Sequence, residues 1–163
     1  MNTWMIFDFT KEASMQNWFV VDDTVMGGES AGNMGVNSEG HGIFKGHVSL
    51  DNNGGFSSIR YNGGRTKLKG YSKFVIALKG DGKAYQFRVK TNSSEYYSYI
   101  YTFTTNKAWQ TIEIPFSSLY PSFRGRTLDM ANFPGESLEE IGFLIGNKKE
   151  EDFNLLIDYI SVQ

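Results

Sequence analysis

Asp22 and Asp23 adjoin a glycine-rich run, with Glu29 close behind. Paired carboxylates carry out glycoside hydrolysis when they flank a sugar at about 5–9.5 Å. Neighbouring residues on a strand point to opposite faces, so Asp22 and Asp23 do not converge as such a pair. Accepting hydrogen bonds from the glycine-rich backbone is the role that their setting favours. Gly28-Glu-Ser30-Ala-Gly32 spells G-x-S-x-G, the nucleophile elbow of hydrolases. That elbow needs a helix after the serine. Asn33-Met-Gly-Val-Asn37 is not helical in pattern, and the downstream histidines, His41 and His47, follow too closely for the triad order. On one strand the two histidines would share a face about 20 Å apart, too far for a joint metal site. Gly80-Asp-Gly82-Lys83 lacks the upstream glycine and the Ser/Thr of a phosphate loop. No convergent acid, base and nucleophile set emerges, so the chain reads as non-catalytic.

Binding residues are easier to nominate. Tyr97, Tyr99 and Tyr101 recur at a spacing of two, which puts them on one strand face. That face either packs into a core or presents rings and hydroxyls to a ligand. Gln86, Arg88, Tyr99 and Trp109 are the candidates for holding a glycan on a sheet. Arg60 is placed to join a patch with Trp109, or to pair with Asp22 or Asp23. Arg124 belongs to the basic stretch Arg124-Gly-Arg126, inside a region (120–135) without strand pattern that suits a protein partner. Asp8 closes the first strand candidate and Asp158 lies in the last. If the terminal strands pair, these carboxylates meet and form a candidate structural calcium site, since calcium takes oxygen ligands. No other cofactor is expected.

The composition bounds the alternatives. The chain has 163 residues and 40% hydrophobic content, enough for one domain (1–163) with a real core. Eighteen glycines and 25 aromatics stand against six alanines, which disfavours a helical bundle. A net charge of −2 gives no footprint for nucleic acid. With no cysteine, disulfide scaffolds, thiolate metal sites and thiol chemistry are excluded. There is no uncharged apolar window of membrane-spanning length. No leader pattern is visible at the start, so the chain as given reads as cytosolic.

The elements that must position these residues are strands. Tyr85, Phe87 and Val89 alternate with Gln86, Arg88 and Lys90, and Ile112 and Ile114 flank Glu113. Further strands are expected at 4–9, 18–22, 30–37, 43–50, 56–61, 73–78, 141–146 and 153–162. Asp51-Asn-Asn-Gly-Gly55, Asn62-Gly-Gly64 and Gly80-Asp-Gly82 read as turns. Ser137-Leu-Glu-Glu140 fits a capping box for one helical turn, and Pro115–Leu119 fits another. About ten or eleven strands with one or two short helical turns describe an all-β sandwich.

Asp22-Asp-Thr-Val-Met-Gly-Gly-Glu-Ser30, Phe44-Lys-Gly-His-Val-Ser-Leu50 and Asn53-Gly-Gly-Phe-Ser-Ser-Ile-Arg60 then carry a more specific signal. With Trp109-Gln-Thr-Ile-Glu-Ile-Pro-Phe116, Phe123-Arg-Gly125, Ile141-Gly142 and Phe153-Asn-Leu-Leu-Ile157, they resemble the complex I intermediate-associated protein 30 family over essentially the whole chain. The resemblance implies a galactose-binding-domain-like jelly roll, related in fold to carbohydrate-binding modules. It also implies a chaperone-like assembly factor, not an enzyme, with respiratory-complex subunits as partners. The chain looks like a stand-alone bacterial-type member. A glycan on the concave sheet is the alternative. Gly27, Gly28, Gly54 and Gly55 would let backbone approach closely. The Asp22, Asp23 and Arg60 cluster is then either a ligand pocket or a structural latch.

Overall fold

The computed structural model describes residues 2–23, 28–51 and 55–163. Among these residues thirteen strands, β1 to β13, form two antiparallel sheets. The first sheet runs β3 (Ala31–Val36), β4 (Gly42–Val48), β13 (Glu151–Val162), β6 (Lys73–Lys79), β9 (Trp109–Pro115), and β1 (Trp4–Asp8) also pairs with β13. The second runs β11 (Arg126–Thr127), β10 (Tyr120–Phe123), β8 (Ser98–Thr104), β7 (Ala84–Lys90), β12 (Ser137–Ile145), β5 (Ser57–Lys67), β2 (Trp18–Asp22). This is a jelly-roll sandwich. Among the described residues there is no α-helix, and a 3-10 turn spans Phe116–Ser118, where the sequence placed a helical turn.

Alternation explains both layers. Tyr85, Phe87 and Val89 of β7 are buried and meet Ile141 and Phe143 of β12 in the core. Phe74, Ile76 and Leu78 of β6, with Leu155 and Ile157 of β13, fill it from the opposite sheet. Burying such side chains stabilises by about 1.5–3 kcal/mol each. The terminal strands pair as expected: Trp4 faces Val162 and Asp8 faces Tyr159.

Three local expectations are corrected. Ser137–Glu140 is not a helical turn but the start of β12, because Ser137 and Leu138 pair with Lys67 and Thr66. Asn62-Gly-Gly64 is not a turn between strands: β5 continues through it, with the irregularity absorbed opposite Leu138 and Glu140. The 120–135 region, read as lacking strand pattern, holds β10 and β11, which extend the second sheet. In each case pairing with a distant strand overrides a local signal. Within the Asp51–Gly55 turn, residues 52–54 lie outside the described residues, as do Gly27 and the rest of 24–27.

Candidate functional site

The two aspartates fasten the sheets to each other. Asp22 ends β2; its Oδ1 accepts the Ser57 hydroxyl at 2.5 Å and its Oδ2 accepts the Gly32 amide at 2.9 Å. Gly32 belongs to the first sheet and Ser57 to the second. Asp23 is 1% exposed. Its Oδ1 accepts the Ser30 amide at 2.9 Å, and its Oδ2 accepts the Ser30 hydroxyl at 2.5 Å, the Gly55 amide at 2.6 Å and the Phe56 amide at 3.2 Å. Burial alone would raise the Asp23 pKa; the Ser30, Gly55 and Phe56 donors outweigh it and hold the carboxyl below its ordinary value. A Cβ added to Gly28 would lie 2.4 Å from the Asp23 carboxyl carbon, so a glycine is required there. The carboxylate oxygens of Asp22 and Asp23 are thus taken up by donors of the protein itself, in a latch between the sheets.

Ser30 is buried, its hydroxyl held between Asp23 and the Ser49 amide. It precedes β3, not a helix, and is no nucleophile elbow. His47 pairs with Asp152 across β4 and β13 at 2.9 Å, and His41 packs its ring 4.6 Å from that of Trp109. Asp8 pairs with Tyr159 on the β1–β13 ladder, and the Phe9 amide donates to the Asp158 carbonyl at 2.9 Å. Among the described residues no group of three or more His, Cys, Asp or Glu side chains could hold a metal ion.

Arg60 does not join the aspartates. Asp22 opposes Ser57 on the core side of the second sheet, and Arg60, three residues beyond Ser57, points to the open side. There it lies on a rung that crosses six strands. Phe19 (β2), Arg60 (β5), Gly142 (β12), Arg88 (β7), Ile100 (β8) and Tyr120 (β10) face one another in turn. The next rung on one side brings Glu140 opposite Lys90, and on the other brings Leu144 opposite Gln86. Arg88 Nη1 donates to Gln86 Oε1 at 2.7 Å. Lys90 Nζ donates to the Glu95 carbonyl at 2.6 Å.

The charges on this face feel one another. Burial, then the Arg60 charge, pull Arg88 down to about 10. Burial raises Glu140, and the Arg60, Lys90 and Arg88 cations oppose that rise. Burial lowers Lys90, with Glu140 pulling the other way. Three cations thus surround one carboxylate on the open sheet.

Of the glycan candidates, Gln86 and Arg88 are on this face; Tyr99 and Trp109 are not. Tyr99 is 6% exposed and packs into the core, 5.3 Å from the Phe133 ring. Its row therefore faces inward, with Tyr97 and Tyr101 half-buried against the same core. Trp109 belongs to β9 of the other sheet, opposite Lys79. Arg124 sits at a positive φ of 51° in the β10–β11 turn and covers the Phe123 ring at 5.2 Å, away from the arginine rung. Phe19, Ile100, Tyr120, Glu140 and Gly142 are on this face without having been nominated from the sequence. The alternation of β7 already put Lys90 in phase with Arg88, but strand pairing was needed to find the others.

The chain is a two-layer antiparallel jelly roll with a broad charged face. The solved structures that resemble it agree on the fold. The family 11 carbohydrate-binding module of a cellulosomal cellulase of Clostridium thermocellum superposes with a TM-score of 0.69 at 19% identity, covering 99% of this chain and 94% of that one. An agarase superposes with a TM-score of 0.64 at 11% identity, over 100% of this chain and 25% of the agarase.

Residues 7–157 match the family "Complex I intermediate-associated protein 30", and the chain belongs to that family. It is 27% identical over 184 aligned residues to the mitochondrial complex I intermediate-associated protein 30 of Drosophila melanogaster, covering 98% of this chain and 62% of that protein. The Mus musculus protein of the same name is 26% identical over 99 residues, or 56% of this chain and 30% of the mouse protein. The chain thus spans less than two thirds of the length of these relatives. Among the described residues no helix is long and apolar enough to cross a membrane.

Proposed function

We propose that this chain is a non-catalytic binding domain that acts as an assembly factor for a respiratory complex I-type enzyme, holding a protein partner on the open face of its seven-stranded sheet. The observation that carries the reading is family membership over residues 7–157. The face suits the task. It is broad and combines hydrogen-bonding groups with apolar ones, as partner surfaces do. The non-catalytic part of the reading is supported by Ser30, the serine of the hydrolase-like motif, which is buried against Asp23.

A glycan is the competing ligand, suggested by the fold shared with carbohydrate-binding modules. Sugar faces stack on flat aromatic rings. On the arginine rung the aromatics Phe19 and Tyr120 stand at opposite ends, with charged groups between them. Deletion of the gene in the native host tests the reading. The expected result is loss of complex I on native gels and accumulation of partial assemblies. Unchanged complex I, together with specific glycan-array binding by the purified chain, overturns it.

A further inference from the structure

Arg60 and Arg88 oppose Gly142 from its two sides, so no side chain stands between them. Two strand spacings separate their backbones by roughly 10 Å. Among the described residues neither guanidinium has a carboxylate within 4 Å; the ion pairs lie elsewhere. Arg88 commits one N–H to Gln86, while a guanidinium carries five. Half-buried cations set beside each other without counter-charge destabilise a sheet. Glu140, on the next rung, is shared electrostatically with Arg60, Arg88 and Lys90, which leaves an excess of positive charge. A face that breaks a local rule in this way is a candidate binding site.

We infer that this rung takes a carboxylate-bearing, extended peptide segment of the protein partner, with acidic side chains forked onto Arg60 and Arg88. The inference rests on the proposed partner-binding role of the same face. Arginine suits carboxylates because its planar N–H groups pair with both oxygens. From β2 to β10 the rung crosses five strand spacings, about 24 Å, the length of about seven extended residues. Apolar contact is available beside the charges: Phe19, opposite Arg60 at one end of the rung, is 43% exposed. That mixture matches a peptide with acidic and apolar side chains better than a run of sugar acids, which would offer no apolar side chain to Phe19.

The test uses the full chain and fluorescein-labelled hexaglutamate, read by anisotropy at low and moderate salt, with hexagalacturonate and hexalysine as comparison probes. Saturable binding of hexaglutamate is expected, weakened about tenfold or more in the Arg60→Gln/Arg88→Gln double variant and several-fold in Arg60→Gln alone. Lys45→Gln, on the other sheet, is expected to leave it unchanged. Urea midpoints for all variants confirm folding, and the Arg60→Gln single variant keeps the test valid if the double variant does not fold. Absence of binding, binding indifferent to both arginines, or tighter binding of hexagalacturonate overturns the inference. Native-gel assembly in cells carrying the double variant separates the two readings. Normal assembly with lost peptide binding sinks this face and leaves the assembly role standing. If gene deletion leaves assembly intact while arginine-dependent peptide binding persists, only the assembly role falls.

Discussion

Ser30 donates its hydroxyl proton to Asp23 Oδ2 at 2.5 Å while its oxygen accepts the Ser49 amide at 2.9 Å. One serine therefore links the end of β2 to the end of β4, across the two sheets. Asp22, Asp23 and Ser30 of the family signature thus have a fastening role.

Asp23→Asn puts an amide N–H₂ where two oxygens now accept from four donors. At least one buried N–H then faces a donor. Each charge-assisted bond contributes about 1.5–3 kcal/mol, so a loss of about 2–4 kcal/mol is expected in urea unfolding at pH 7. A change below 0.5 kcal/mol would remove the latch.

The same carboxylate gives a pH signature. Its folded pKa lies below the ordinary 3.8. As the pH drops between those two values, the unfolded chain binds the proton first, so stability falls with pH. The contribution is complete above the unfolded value and is lost as pH descends through the folded one. The gap between the parent chain and Asp23→Asn should therefore be constant from pH 7 to 5 and shrink below about pH 4. Unfolding midpoints at each pH measure it.

Arg60→Gln removes a like charge that lowers the Arg88 pKa. Stability is expected to hold or rise by about 0.5 kcal/mol, because like charges on one sheet face are unfavourable by a few tenths to 1 kcal/mol. A loss above 1 kcal/mol would mean that Arg60 has a structural partner.

Gly142→Ala brings a Cβ to 2.4 Å from the Ile59 carbonyl oxygen, which is backbone and cannot step aside cheaply. A loss of about 1–3 kcal/mol is expected, and the widened β5–β12 spacing should weaken hexaglutamate binding further than the Lys45→Gln control. Unchanged stability would show that the two strands can separate freely.

Trp109→Ala is a counter-example to the aromatic-platform idea. The ring is 44% exposed and packs on His41, on the sheet opposite the arginine rung. Stability should change by less than about 1 kcal/mol, and peptide binding on the open face should not change. A large binding loss would move the site to the first sheet.

Much of this protein was written along the chain. The β7 alternation set Arg88 and Gln86 on one side and Phe87 on the other, since side chains on a strand alternate with a period of two. Scarce alanine, abundant aromatics and glycine turns called for a sandwich, and the motif blocks identified the family. Which strand lies beside which was not readable in the same way. Arg60 was matched with Asp22 because they share a signature, yet pairing of β2 with β5 put them on opposite faces. Tyr99 and Trp109 were grouped by residue type, and the sheets separated them into the core and the far face. Glu140 and Gly142 were read as parts of a helical turn and a family motif, until the pairing of β12 set Gly142 between Arg60 and Arg88 and Glu140 opposite Lys90 on the next rung. Alternation is a local property fixed by backbone geometry, whereas cross-strand neighbours are set by long-range pairing, which depends on the packing of the whole core.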